Sequence, residues 1–215
     1  MHKADKASPE SKTNQVKRTA IFRFGFPWWF NLDSDEKNTP ITVNGMILTP
    51  LIDITPGTLN GVAVSGFLMH ETVNGVVISP LFSITKETNG LALSCCNWSS
   101  DKAIVQVGLI NLCEFMWASG KVIWQTGVVN EAGSSRFQLG LFNNSWVDAW
   151  LQLGLVNTVI GPDKYSDPNW GKRPSEQIGL YNDIRNGIQL GLSNRNENGW
   201  LWKYSPLINF STTQE

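Results

Sequence analysis

Apolar and polar residues alternate along most of this chain in a short phrase that recurs about every 14 residues. The clearest copies are VQVGLIN (105–111), FQLGLFN (137–143), LQLGLVN (151–157) and IQLGLSN (188–194). Each copy has a small residue at its centre, called here the central residue of the unit. Eleven units align on the central residues Thr49, Ser65, Ser79, Ser94, Gly108, Gly127, Gly140, Gly154, Gly179, Gly191 and Ser205. Units this short cannot bury their own apolar side, so they must stack on one another.

The alternation has the period of a β-strand, because residues two apart share one face of an extended chain. In the unit centred on Gly108 one face carries Val105, Val107 and Leu109, and the other carries Gln106 and Gly108. We therefore predict an all-β domain in which about three apolar side chains of each unit form the core. The Gln and Asn positions are expected on the outer, polar face.

Two architectures satisfy this pattern. In a β-solenoid of about eleven units of ~14 residues, each unit is one coil and neighbours pair in parallel. In an antiparallel up-and-down β-barrel of about twelve strands, each unit is one strand, and residues 19–26 supply the twelfth. Pro50, Pro80 and Pro206 each follow a central residue, where a corner tolerates proline better than a straight strand does. This favours the solenoid and leaves the barrel as the alternative.

The pattern also predicts the domain limits. Residues 1–19 form a polar leader without a packing face, residues 20–210 form one repeat domain, and residues 211–215 form a tail. Inside the domain, residues 20–40 are predicted to be a capping strand and linker, and residues 41–210 hold the units, with insertions near 112–121 and 160–174. Asn-Gly pairs, such as Asn44 with Gly45, precede several units and indicate turns with positive φ.

Charge and cysteine content narrow the partners and the compartment. The net charge is −1 and the pI is about 6.1, so no basic surface is expected to attract nucleic acid. No secretory signal follows Met1, and an odd count of 3 cysteines is typical of reduced thiols. These features predict a cytoplasmic protein or one exported by a non-classical route.

Candidate catalytic groups are few. The 2 histidines are His2 and His70, and His70 is expected in a surface turn, so neither a multi-histidine metal site nor a catalytic dyad is predicted. Cys95 and Cys96 are expected to point to opposite faces of a strand. We predict no catalytic residue, no metal site and no cofactor, and hence a protein that is not an enzyme.

Two sets of residues are candidates for structural or binding roles. Seven asparagines follow their central residue by three positions, and stacking would align them into a structural ladder: Asn97, Asn111, Asn130, Asn143, Asn157, Asn182 and Asn194. The chain also has 10 tryptophans, which suit core packing, membrane anchoring or a binding patch. The candidates for partner-binding aromatics are Trp117, Trp146, Trp150, Trp170 and Trp200.

The GLQLGLVN-like units, the opening FRFGFPWWF (22–30) and the closing NGWLWKYSPLINF (198–210) resemble the bacterial leptospiral surface-repeat family. The resemblance covers about residues 20–210, and it implies a tandem-repeat protein at the cell surface without an established activity. The chain departs from the family pattern in its first four units, which have Thr or Ser in place of the central Gly.

Together these features predict a non-enzymatic repeat scaffold that presents a polar Asn and Gln face, with aromatic rims, to a protein or carbohydrate partner. The alternative is a membrane-associated or outer-membrane β-barrel protein. The sequence does not predict the oligomeric state.

Overall fold

The structure, a computed structural model, describes residues 18–24, 41–113, 120–160, 175–184, 187–196 and 204–210. All regular elements in these ranges are β-strands, which confirms the all-β prediction there. They are β1 (Arg18–Phe24), β2 (Ile41–Val107), β3 (Ile110–Cys113), β4 (Lys121–Thr126), β5 (Val129–Leu139), β6 (Phe142–Leu153), β7 (Val156–Val159), β8 (Ser175–Ile178), β9 (Tyr181–Ile184), β10 (Gly187–Asn196) and β11 (Tyr204–Phe210). A search of the described ranges for helices of membrane-spanning length and hydropathy finds none.

Strand β2 has 67 residues and would extend over about 220 Å if it were straight. It folds back on itself, because side chains one unit apart meet along it. The Asn60 amide donates to Asn44 Oδ1 at 2.6 Å, and the Asn74 amide donates to Asn60 Oδ1 at 2.7 Å. Strand β2 is therefore several stacked coils joined by bends in extended backbone.

The strands stack in parallel with equivalent residues of successive units opposite each other. Strands β5 and β6 pair Val129 with Phe142 and Gln138 with Gln152, and strand β4 pairs in parallel with β2 and β5. This arrangement is solenoid-like, and it shows that the antiparallel barrel alternative is wrong for strands β1 to β10. The parallel stacking is possible because each unit makes a full turn before the next one begins.

The coils share two sheet walls that meet at the central residue. The first wall contains β4, β8 and the parts of β2, β5, β6 and β10 paired with them. The second wall contains β3, β7 and β9 with the adjoining parts of the same long strands. Between the walls, the residue pairs Gly108–Leu109, Gly140–Leu141 and Gly154–Leu155 bend out of the strands. The corner that the prolines indicated is therefore at the central residue.

The two ends of the stack differ from the middle. Strand β1 pairs in parallel with the first coil of β2, with Phe22 opposite Met46. Strand β11, which contains the eleventh central residue, Ser205, instead pairs antiparallel with β10. The eleventh unit is thus not a further parallel coil but an antiparallel strand on the last one.

The predicted boundaries are described only in part. Strand β1 begins at Arg18, inside the predicted leader 1–19. Residues 1–17, most of the predicted linker up to residue 40 and the tail 211–215 lie outside the described residues. Most of the two predicted insertions, at 114–119 and 161–174, lies outside them as well.

Candidate functional site

The seven asparagines form one continuous hydrogen-bonded column inside the stack. Each Nδ2 from Asn97 to Asn182 donates to Oδ1 of the asparagine in the next coil, and all six bonds are 2.8 Å long. All seven side chains are buried, with relative exposures of 0–2%. The structure therefore brings together every asparagine of the predicted ladder and places the ladder in the interior.

A second bond fixes the direction of each asparagine amide. Nδ2 of Asn143 also donates to the carbonyl of Leu153 at 2.9 Å, and Nδ2 of Asn130 donates to that of Leu139 at 3.0 Å. Because a carbonyl oxygen only accepts hydrogen bonds, the amide nitrogen must face it. The ladder thus supplies donors to first-wall carbonyls at the corner and leaves each Oδ1 for the preceding asparagine.

A second buried ladder is formed by glutamines two positions before the central residue: Gln106, Gln125, Gln138, Gln152, Gln177 and Gln189. Each Nε2 from Gln125 to Gln189 donates to Oε1 of the preceding glutamine at 2.6–3.2 Å. The same nitrogens reach second-wall carbonyls, such as that of Asn144 from Gln138 at 3.1 Å. The prediction that the Gln and Asn positions lie on the outer face is therefore wrong, because stacking satisfies their polar groups internally.

The two ladders run in opposite directions. Asparagine donors point toward the C-terminal end of the stack and glutamine donors toward the N-terminal end, so the side-chain dipoles of the two columns oppose each other. Each ladder has one unpartnered oxygen at its terminus, Oδ1 of Asn97 and Oε1 of Gln189. Every bond between these termini is made within a buried column, where aligned amides polarise one another.

The central glycines are required by the close approach of neighbouring coils. A Cβ at Gly140 would lie 2.4 Å from the carbonyl oxygen of Gly127 and 2.5 Å from Nδ2 of Asn130. The first four units have Ser or Thr at this position, and the serine hydroxyls donate to backbone carbonyls two or three residues further along their own unit. Oγ of Ser79 donates to the carbonyl of Phe82, and that of Ser94 to the carbonyl of Cys96 at 3.0 Å.

The apolar residues of the repeat lie on the outside. We define the apolar outer face as the positions three and one before, and one and two after, the ten central residues from Thr49 to Gly191. None of these forty residues is buried. Glu176 is their one charged member, and Thr126, Tyr181 and Ser193 are their hydroxyl-bearing members. The leucines at the corner are among the most exposed: Leu51, Leu81, Leu109, Leu141, Leu155, Leu180 and Leu192.

The prediction that these apolar side chains form the core is therefore wrong. Buried apolar residues occupy other positions of the repeat. The first coils contain a cluster of Val43, Ile47, Leu59, Ala63, Leu68, Val73, Val77 and Ala92, and the later coils contain a smaller one of Ala103, Cys113, Val122 and Ala132. In the later coils the amide columns share the interior with this smaller cluster, and the apolar side of the phrase faces solvent. Contiguous apolar surface of this extent is uncommon on a monomeric soluble protein.

Two of the predicted partner-binding tryptophans lie in the described part of the chain. Trp150 is 56% exposed, and its ring packs edge-on against Phe137 with centroids 4.9 Å apart. Nε1 of Trp146 donates to the Glu131 carboxylate at 2.7 Å. Trp124, which the predicted set omits, is 41% exposed on the outer face and packs on Phe137 at 5.3 Å. Trp117, Trp170 and Trp200 lie outside the described residues.

His70 does not lie in a surface turn, as the sequence predicted, but in the interior of β2. Its Nε2 lies 2.8 Å from Oδ2 of Asp53, and Oδ1 of the same carboxylate accepts from Oγ1 of Thr55 at 2.8 Å. Asp53 is buried as well. The pair is sequestered between coils, where it holds two of them together. No cluster of three or more potential metal-binding side chains occurs in the described ranges.

Cys95 and Cys96 are both half-exposed, whereas Cys113 is buried. The prediction that the adjacent pair points to opposite faces is wrong, because the two residues occupy the corner and not a straight strand. Burial raises the pKa of the Cys96 thiol above its ordinary value of 9.0, and the neighbouring Cys95 thiol adds to the rise. This environment keeps Cys96 protonated at neutral pH and argues against an activated nucleophile.

Comparison with known proteins finds no matching family model, no matching curated protein and no matching solved structure. The resemblance to the leptospiral surface-repeat family stays a prediction.

Proposed function

We propose that the protein is a non-enzymatic binding scaffold whose binding surface is the apolar outer face. We further propose that the domain is a β-solenoid of about eleven units of ~14 residues, with the last unit serving as an end strand. The observation that carries the proposal is the inverted placement of side chains, with amides inside and leucines outside. The proposal moves the binding surface from the Asn and Gln positions, which are buried, to their apolar neighbours.

The dimensions of the face favour a second copy of this chain as the partner. Ten coils spaced ~4.8 Å apart give a length of about 48 Å, and a strip six residues wide across a corner gives about 15 Å. The resulting area, on the order of 700 Å², is close to the ~800 Å² that each partner contributes to an interface of standard size. The same face on both copies suits a two-fold symmetric contact of sheet on sheet.

The charges on the face agree with such a pairing. Glu176 is its one charged member, so two copies meet with little repulsion. The face has no Lys or Arg to attract an anionic lipid surface. A protein surface that is apolar and regularly ridged is therefore a better complement than a charged bilayer.

The test uses the double variant Leu141→Glu, Leu155→Glu, which places two carboxylates in adjacent coils at half-exposed corner positions. The native chain should sediment as a dimer at tens of micromolar, and the variant should sediment as a monomer with an unchanged thermal midpoint. Lys86→Glu is the control, because Lys86 is exposed away from the face and its substitution changes the net charge by as much as the double variant does. The control should remain dimeric.

Two outcomes would overturn the proposal. A native chain that is monomeric at these concentrations lacks the predicted pairing. A native chain that floats with neutral phosphatidylcholine vesicles, while the double variant does not, has a lipid partner instead.

A further inference from the structure

The corner of the coil centred on Ser94 presents two adjacent thiols on the same side of the chain. Ser94 and Asn97 are both buried, so the backbone turns outward between them and carries Cys95 and Cys96 on the outside. In a straight strand, successive side chains point to opposite faces. The corner removes that alternation and creates a dithiol.

The register of the next coil agrees with this placement. Cys96 lies opposite Ile110, and the Leu109 backbone amide donates to the Cys95 carbonyl at 2.9 Å. Leu109 and Ile110 are 55% and 40% exposed, so the two cysteines occupy positions whose side chains face solvent in the neighbouring coil. The dithiol is accessible at the surface and has apolar neighbours.

The two thiols also interact with each other. Burial is the main cause that raises the pKa of the Cys96 thiol, and charge repulsion from Cys95, followed by a hydrogen bond with it, raises it further. Two sulfurs held this close can bind one soft centre together once the two thiol protons leave. Soft, polarisable thiolates select soft metal and metalloid centres.

We propose that Cys95 and Cys96 form a chelating site for a soft, thiol-seeking centre of the trivalent arsenic class. With hydrated phenylarsine oxide, two As–O bonds break and two As–S bonds form. The two thiol protons leave with the two hydroxyl groups as two water molecules. Arsenic remains trivalent and no electrons are transferred. This site lies on the apolar outer face, and it does not rest on the proposed pairing of copies.

The experiment adds one equivalent of phenylarsine oxide to the reduced chain and records the intact mass under non-denaturing conditions. One phenylarsenic group should bind per chain, survive a hundredfold excess of 2-mercaptoethanol and be released by equimolar 2,3-dimercaptopropanol. This pattern identifies a chelate, because a monothiol cannot compete with two tethered sulfurs.

Single substitutions locate the site. Cys95→Ser and Cys96→Ser should each weaken binding at least a hundredfold, and Cys113→Ser, at a buried thiol outside the corner, should leave it unchanged. Circular dichroism checks that each variant is folded. Retention of tight binding in Cys95→Ser or Cys96→Ser would overturn the proposal.

Because the dithiol lies on the apolar outer face, the same measurement is made on the Leu141→Glu, Leu155→Glu variant. Binding of phenylarsine oxide by both the native chain and the variant supports the site. Binding by the variant alone also supports it, and it shows that the native dimer covers the face that carries the dithiol. Absence of binding in both chains would overturn the dithiol site and leave the proposed function untouched.

Discussion

The first four coils and the later six differ in the column two positions before the central residue. The first four place Ile47, Ala63, Val77 and Ala92 there, and the later six place a glutamine at each equivalent position. All ten side chains are buried. The same parallel stacking thus tolerates two kinds of interior. The apolar side chains of the first coils pack without directional bonds, whereas each glutamine amide of the later coils forms hydrogen bonds with the glutamines of neighbouring coils.

The two regions also differ in how they use asparagine. In the first coils Asn44, Asn60, Asn74 and Asn89 form a ladder at an outer turn, where water is an alternative partner. From Asn97 in the fourth coil onward a second asparagine ladder is internal, and an amide of this ladder that loses its partner has no water to replace it. The cost of a substitution should therefore depend on the type of interior more than on the depth of burial.

The largest expected effect comes from adding one methyl group at the corner. Gly140→Ala brings a Cβ against the Gly127 carbonyl and the Asn130 amide, and the overpacking and the broken amide bond should cost about 3–5 kcal/mol. Ser79→Ala places the same alanine at the central position of a first coil. It loses only hydroxyl hydrogen bonds and should cost about 1–2 kcal/mol. Urea unfolding followed by circular dichroism measures both, and equal losses would contradict the difference between the regions.

The next largest losses of stability are expected in the glutamine ladder, and they should differ between its middle and its end. Gln138→Met leaves the Gln125 oxygen and the Asn144 carbonyl without their donors. It also leaves the Gln152 amide and the Ser145 hydroxyl without the oxygen that accepts from them, and the change should cost about 2–3 kcal/mol. Gln189→Met is the matched control at the terminus, where Oε1 already has no partner, and should cost about 1 kcal/mol. The same unfolding measurement applies. A larger loss at Gln189 than at Gln138 would show that the ladder is not cooperative.

A smaller loss of stability is expected when the contact between Asp53 and His70, inside the first coils, is broken. Asp53→Ala removes the acceptor of both His70 and Thr55 and should cost about 2 kcal/mol. The double variant Asp53→Ala, His70→Leu should be no less stable than Asp53→Ala alone, because it also removes the stranded imidazole. A double-mutant cycle from urea midpoints decides this, and fully additive losses would mean that the two side chains do not interact.

The smallest expected effect is a loss of stability as the pH rises. Burial, followed by the charge of Asp183, raises the pKa of Tyr181 above its ordinary value of 10.0. As the pH rises past 10.0, the unfolded chain therefore ionises at this group before the folded one, and stability falls. The urea midpoint should decrease slightly between pH 9 and pH 10.5, and by less in Tyr181→Phe. An identical decrease in both chains would exclude a contribution from Tyr181.

Local pattern was sufficient to predict several features of the fold. The period of two and the ~14-residue repeat predicted stacked strands, and proline after the central residue predicted the corner. The spacing of Asn97, Asn111 and Asn130 predicted which side chains meet, because equivalent positions in stacked units become neighbours. These predictions depend only on period and register.

Which face became the interior could not be predicted in the same way. An isolated glutamine such as Gln138 is costly to bury, so hydrophobicity alone assigns the apolar side of the phrase to the core. The cost disappears when the next coil supplies a partner at 2.6–2.8 Å on each side, and only the stacked structure contains that partner. The positions of Cys95, Cys96 and His70 were mispredicted for a similar reason, because the corner and the neighbouring coil decide where they point.

Periodicity in the sequence is enough to specify the strands, the length of the repeat and the set of residues that align. The parallel direction, the burial of the amides and the exposure of the leucines follow only once the coils are stacked. The physical reason is that a polar side chain has no fixed preference for inside or outside. Its preference depends on whether a neighbour completes its hydrogen bonds, and in this protein each coil completes those of the next.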